Sequence, residues 1–284
     1  MSNSVYLNGE FIPLAEARVS VMDRGFLFGD GVYEVIPAYG GCLFRLHQHL
    51  HRLENSLHGI RMHNPMSEAQ WEQVLATLIA QYPGADQSIY LQVTRGASEV
   101  RDHAIPAETK PTVFAFSTPF HPVTQACYEH GIAAITLDDI RWRFCNIKAT
   151  TLLANVLLRQ EAKDRDAMEA ILIRDGQAME GTASNLFIVE DGRIITPPKG
   201  EHLLPGITRD LVLELAAEAE IPYSEATITA AQLDMADEVW LTSSTREIMP
   251  VTLLDDRSIG KGRPGPVWEK MIKMFQNYKE ELRQ

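Results

Sequence analysis

Four glycine-bearing turns constrain this chain more than any other feature. Asn8-Gly9, Gly40-Gly41, Asp175-Gly176 and Asp191-Gly192 each separate two short apolar runs. Asn, Asp and Gly take positive φ at low cost, and tight hairpin turns need it, so each pair predicts an antiparallel hairpin. Longer segments between them carry helical periodicity. Residues 47–63 set Leu50, Leu53, Leu57 and Ile60 on one face, with Arg52 beside the stripe. Residues 68–82 form a second amphipathic stretch, opened by Ser67 as N-cap. Further helices are predicted over 150–163, from Pro205 to near Glu220, and after Gly265. Strands outnumber helices and mix hairpins with longer connections, which indicates a mixed α/β (α+β) fold.

The 284 residues suffice for two domains. Pro119-Phe120-His121-Pro122 carries two prolines that resist regular structure. The expected organisation is a smaller N-terminal α/β domain over 1–118, a linker over 119–131 and a larger C-terminal domain over 132–284. The net charge of -12 argues against nucleic acid or an anionic membrane as partner, since both favour a basic face. Any anionic ligand must then be captured by a local cluster of cations. Cys42, Cys127 and Cys145 are far apart and odd in number, so neither a disulfide framework nor a zinc site is expected. The N-terminal residues show no basic and apolar signal pattern, and the cytoplasm is the expected location. The histidines of 47–63 are not joined to a carboxylate in a ligand pattern; they read as solvated helix residues, and no metal is expected.

Several residues suggest chemistry. Lys148 ends a mostly apolar run just before a predicted helix. It is either a surface lysine lying along apolar surface or an amine nucleophile able to form a Schiff base. Gly206-Ile207-Thr208 at a helix start and the hydroxyl-rich turn Ser243-Ser244-Thr245 are candidate phosphate cradles. Helix N-termini offer unpaired N–H donors and positive potential, and glycine permits close approach. Arg52 has the forked cation such a dianion favours. Glu180 closes a strand before Gly181; a carboxylate facing an aromatic nitrogen would hold it protonated, as pyridoxal 5′-phosphate (PLP) chemistry requires. Each feature also has a structural reading: a helix cap, a turn rich in side-chain-to-backbone bonds, a solvated hairpin acid, a surface arginine. The glycine-rich stretch Asp23-Arg24-Gly25 to Val35 lacks the dinucleotide-binding spacing and reads as a loop entering a strand, with Tyr33 in the core.

The order of these stretches resembles the fold-type IV PLP-dependent aminotransferases, across nearly the whole chain, and within them the D-amino acid (D-alanine) aminotransferase branch. The resemblance is carried by Asp23-Arg24-Gly25 with Phe28-Gly29-Asp30-Gly31-Val32-Tyr33-Glu34-Val35, Gln92-Val93-Thr94-Arg95-Gly96, Asp139-Ile140-Arg141-Trp142 with Ile147-Lys148, Glu180-Gly181 with Ser184-Asn185, Leu204-Pro205-Gly206-Ile207-Thr208-Arg209, and Leu241-Thr242-Ser243. It implies a two-domain fold whose C-terminal domain binds PLP. It also implies ping-pong transamination between a D-amino acid and 2-oxoglutarate or pyruvate, with Lys148 in an internal aldimine. Glu180 would pair with the pyridine nitrogen, and Leu204 would pack on the ring. Arg52, Ile207, Thr208 and Ser244 would hold the phosphate, with Ser243 beside them in the same turn. Tyr33, Arg101 and His103 would trap the substrate α-carboxylate, the last two arriving from the neighbouring subunit of a homodimer. The sequence departs from the branch at Ala183, where close members carry a serine, and in the spacing of Glu99-Val100 before Arg101. A branched-chain L-amino acid aminotransferase or an aminodeoxychorismate lyase on the same fold is the alternative; a non-catalytic PLP-binding protein is another.

Overall fold

The computed structural model describes residues 4–120 and 123–283. They divide into two compact units. The first holds 4–120 with Ile147–Leu152 and Arg283, the second 123–146 with Leu153–Leu282. His121 and Pro122, which fall in the predicted linker, lie outside the described residues.

In the first unit β1 (Ser4–Leu7) and β2 (Glu10–Pro13) form the hairpin at Asn8-Gly9. The stretch predicted as a glycine-rich loop contains a short helix, α1 (Arg24–Phe28). Asp23 caps it, accepting from the Gly25 N–H at 2.8 Å, and left-handed Gly29 ends it. Then come β3 (Gly31–Tyr39), β4 (Cys42–Leu43), α2 (Leu46–Gly59), α3 (Glu68–Ile79), β5 (Gln87–Thr94) and β6 (Thr112–Pro119). The six strands run β2-β1-β6-β5-β3-β4, each pair antiparallel. Strand alternation puts Val32 and Ile36 in a core with Leu50, Leu53 and Leu57 of α2 and Trp71, Leu75 and Leu78 of α3. Burying each such side chain stabilises the fold by about 1.5–3 kcal/mol. Ser67 completes a capping box with Gln70, as its position before α3 predicts. α2 ends at Gly59, four residues short of the predicted end, where Arg61 takes a left-handed φ of 58°. A Cβ on Gly59 would lie 2.9 Å from Ile147 Cδ1, the end of a flexible side chain, so α2 approaches Ile147 closely enough to favour a small residue there.

The second unit contains α4 (Gln125–His130), β7 (Ile132–Asp138), α5 (Leu153–Asp164), β8 (Glu169–Arg174), β9 (Gln177–Gly181), β10 (Asn185–Glu190) and β11 (Arg193–Thr196). It continues with α6 (Ile207–Glu218), β12 (Tyr223–Glu225), β13 (Ile228–Thr229), α7 (Ala230–Met235), β14 (Glu238–Ser243), β15 (Glu247–Leu254), β16 (Arg257–Ser258) and α8 (Pro266–Leu282). The sheet order is β12-β11-β10-β14-β15-β7-β8-β9-β13, with β16 on β15. β15–β7, β7–β8 and β11–β12 are parallel and the other pairs antiparallel. An extra pairing of β9 with β10, through Glu180 opposite Asn185, closes six of these strands into a ring. α5 begins at Leu153, later than the predicted start at 150. Residues 149 and 150 pair instead with the first unit's β3: Thr150 N donates to Gly31 O at 3.0 Å, and Ala149 bridges Val32. Lys148 therefore sits in a non-helical segment that turns at it, Ala149 N–H donating back to Ile147 O at 2.8 Å, and not at a helix start. Among the described residues no helix is long and apolar enough to cross a membrane.

Candidate active site

In the first unit, the site residues gather on β3. Lys148 is half-buried, and its backbone is pinned on both sides. Its N–H donates to Ser56 Oγ of α2 at 3.1 Å, and its carbonyl accepts from Tyr33 N–H at 2.9 Å. Its Nζ lies 4.1 Å from the centre of the Tyr33 ring, a cation–π distance. Tyr33 is not in the core; it stacks on Tyr90, ring centres 5.7 Å apart, on the half-exposed face of the sheet.

Arg52 is not a surface residue. It is buried beneath α2 and forks onto Glu34, with Nε and Nη2 at 2.7 and 2.8 Å from the two carboxylate oxygens. His49, predicted to be solvated, is also fully buried, with Nδ1 2.9 Å from Glu34 Oε2. A histidine one turn before Arg52 on the buried face reaches the same acid. Burial pushes the Glu34 carboxyl up, but the Arg52 charge and hydrogen bonds, with His49, outweigh it and hold it far below the usual range. Burial lowers His49 against the pull of Glu34, so the imidazole is neutral and donates through Nδ1.

A depressed carboxylate contributes stability that is present above its unfolded value and lost as pH falls through the folded one. Asp30 shifts the same way: Arg95 and Arg24 overcome its burial. The melting temperature is thus expected to hold from neutrality down to about pH 5, then fall as pH drops below the ordinary glutamate value of 4.5. Calorimetry on the parent and Glu34→Gln checks this, with the variant less stable at neutrality and less sensitive to acid.

Arg101 and His103 stand exposed on the loop between β5 and β6. Their mount is α1. Arg101 and the His103 ring lie 4.8 and 5.1 Å from the Phe28 ring, and Arg24 Nη1 donates to Asp102 O at 2.6 Å.

The second unit gathers a different set. Glu180 is buried, not a solvated hairpin acid. Its Oε1 accepts from Arg141 Nη1 at 2.5 Å, and its Oε2 from Asn185 Nδ2 at 3.0 Å and Leu204 N–H at 3.1 Å. Burial raises the Glu180 carboxyl against the opposing pull of Arg141. Arg141 is fixed in turn by Asp139 through Nε and Nη2 at 2.9 and 3.0 Å. Asp139 and Arg141 stand in one of the motifs that carry the resemblance, but the contact of Arg141 with Glu180 has no local sequence signal, nor do the roles of Glu34 and His49.

Asn185 links Glu180 to the start of α6. A Cβ on Gly206 would fall 1.8 Å from Asn185 Oδ1, so only glycine fits. Gly206 caps α6 with no side-chain hydrogen bond, so no side chain of the cap competes for the amides of Ile207 and Thr208. Ser243 ends β14 beside this region, since Thr242 pairs with Asn185, and Ser244 and Thr245 follow in the turn. Ala183 is exposed in the β9–β10 turn.

By residue type, a lysine amine in the first unit and, in the second, a buried acid backed by an arginine and a helix start whose cap makes no side-chain bond are groups of the kind a phosphorylated pyridine aldehyde uses. The residues present fit that group.

The fold is shared with solved aminotransferases. A branched-chain amino acid aminotransferase from Escherichia coli superposes with a TM-score of 0.88 at 28% identity, over 98% of this chain and 94% of its own. A second branched-chain enzyme, solved with pyridoxamine 5′-phosphate, gives 0.90 at 28% identity over 100% and 96%. A third, from the archaeon Thermoproteus uzoniensis, gives 0.89 at 27% identity over 100% and 97%. The family model for amino-transferase class IV matches residues 31–254. D-alanine aminotransferases from Bacillus licheniformis and Staphylococcus haemolyticus are 42% and 38% identical. The first match covers 96% of both chains, the second 97% of this chain and 98% of the relative. The chain belongs to the class IV aminotransferase family. It is a PLP-dependent aminotransferase.

Proposed function

We infer that this enzyme transfers an amino group between a D-amino acid such as D-alanine and a 2-oxo acid, 2-oxoglutarate or pyruvate, in ping-pong fashion. The observation that carries this is the 42% identity, over nearly the full length, to a D-alanine aminotransferase. The branched-chain enzymes share the fold at 28% identity, and they define the second reading, an L-amino acid substrate. PLP, when bound, supplies an electron sink for the charge developed at the substrate Cα.

The residues divide the remaining work. Lys148 holds the cofactor through its amine, and when free its Nζ takes the Cα proton as general base. Glu180 pairs with the ring nitrogen; its raised proton affinity suits an acid that shares a proton with a base. Leu204 packs on the ring. Arg52, Ile207, Thr208, Ser243 and Ser244 hold the phosphate. Tyr33, Arg101 and His103 receive the substrate carboxylate, for which a guanidinium fork fixes orientation as well as charge.

A homodimer in which Arg101 and His103 serve the neighbouring subunit is part of this reading. It is supported by Leu153, Val156 and Leu157, exposed at helical spacing on α5. So is the organisation into 1–118, a linker over 119–131 and a PLP-binding 132–284, with Ile147–Leu152 packed in the first unit. A cytoplasmic location is consistent with three free cysteines.

The test is a half-reaction panel with D-alanine and L-leucine, following loss of the cofactor's bound-state absorbance. D-alanine is expected to react and L-leucine not; the reverse pattern would transfer the assignment to the branched-chain class. In the same assay Arg101→Ala is expected to raise KM for D-alanine about 10- to 100-fold with kcat little changed. An unchanged KM removes Arg101 from the carboxylate site.

A further inference from the structure

Glu247 stands where a glycine is the ordinary choice. It is the first residue of β15, directly after the Ser244-Thr245-Arg246 turn, and it pairs across the hairpin with Ser243. Its φ is 57°. Short hairpin loops often close on a left-handed residue, which glycine supplies without steric cost and a glutamate does not. Its side chain makes contacts that offset the strain.

The carboxylate is buried and takes three donors from the two helices behind the hairpin. Tyr128 Oη of α4 and Gln276 Nε2 of α8 donate to Oε2 at 2.7 and 2.6 Å. Buried Lys279 of α8 pairs with Oε1. Burial and the adjacent Glu247 charge raise the Tyr128 phenol far above the usual tyrosine range, so it remains a donor. The exit of the turn is thus clamped from behind through one side chain. In the turn itself Arg246 N–H donates to Ser243 Oγ at 3.3 Å. The oxygen accepts there, and the Ser243 hydroxyl hydrogen remains available to donate.

We propose that Glu247, clamped by Tyr128, Gln276 and Lys279, is the positioning residue that fixes Ser243 and Ser244 for the phosphate of PLP. This rests on the reading above that those serines hold the phosphate. Glu247 acts through the turn and touches no reacting atom. Its loss then weakens only the phosphate end of the cofactor, and pyridoxal, which has the same ring and aldehyde but no phosphate, distinguishes that from a general loss of structure.

The experiment dialyses the purified holoenzyme against graded PLP, or against graded pyridoxal, and reads the bound chromophore. E247Q/K279M removes both charges together, so that no buried ion is left alone; Tyr128→Phe removes one donor. The expected result is a PLP affinity lower by about tenfold in E247Q/K279M and about threefold in Tyr128→Phe, with pyridoxal affinity within about twofold of the parent. A PLP-to-pyridoxal ratio equal to the parent's in both variants, including a parallel loss of both ligands, overturns the proposal. Ser244→Ala separates the two levels. An unchanged ratio there overturns the phosphate reading itself. A lowered ratio there, beside parental ratios in the Glu247 and Tyr128 variants, overturns only the role of Glu247.

Discussion

Lys148→Ala is expected to reduce turnover by at least about 10⁴-fold and to abolish covalent retention of the cofactor after borohydride treatment. The proposed role of this amine is double, as the attachment point and as the base at Cα, and no neighbouring group duplicates both. The loss is expected to be chemical and not structural. The segment is held by its backbone, through Ser56 Oγ and Tyr33 N–H, and neither bond involves the side chain. What the fold loses is the contact of Nζ with the Tyr33 ring at 4.1 Å, worth about 0.5–1 kcal/mol at a partly exposed site. Steady-state rates, the melting temperature and the intact mass after reduction check these three statements together. A variant that keeps more than about 1% of parental turnover would exclude Lys148 as the reacting amine.

Glu180→Gln is expected to have the second largest effect, a fall in kcat of about 10²–10³-fold. Glutamine fills the same space and can still accept from the Leu204 N–H and Asn185, but its amide nitrogen then faces the Arg141 Nη1 donor, and it carries no charge to stabilise a protonated ring nitrogen. Arg141 is not stranded by the change, because Asp139 holds it through two bonds of 2.9 and 3.0 Å. The melting temperature is therefore expected to fall by no more than about 10 °C. Single-turnover rates with D-alanine, measured beside the thermal scan, separate the electrostatic loss from a packing loss. Parental rates in Glu180→Gln would count against the pairing of this acid with the ring.

Much of the local structure was legible because turn chemistry is local. Asn8, Asp175 and Asp191 all take the positive φ that their hairpins need. Ser67 caps α3 because its side chain has only to reach Gln70, three residues on. The non-helical backbone at Lys148 was not legible. Its competing partner, the edge of β3, lies more than a hundred residues earlier, and a backbone bond to Gly31 O outweighs the helical periodicity of 150–163. The burial of Arg52 and His49 was hidden for a related reason. Both lie on the face of α2 that reaches Glu34, and a charged residue beside an apolar stripe looks solvated until its counter-ion is placed under it. Glu247 gave no local signal at all, since its left-handed backbone is offset only by donors from α4 and α8.

By itself the sequence determined the hairpins, the α/β class, the family motifs and the residue types able to do amine, acid and phosphate chemistry. These depend on backbone preferences and on functional groups, which are properties of residues and their near neighbours. Only the tertiary structure decided which charges are paired and buried. Arg52 went to Glu34, Arg141 to Glu180 and Lys279 to Glu247. Each partner comes from a distant strand or loop, and a charge is tolerated in the interior only where packing brings its counter-ion within hydrogen-bond reach.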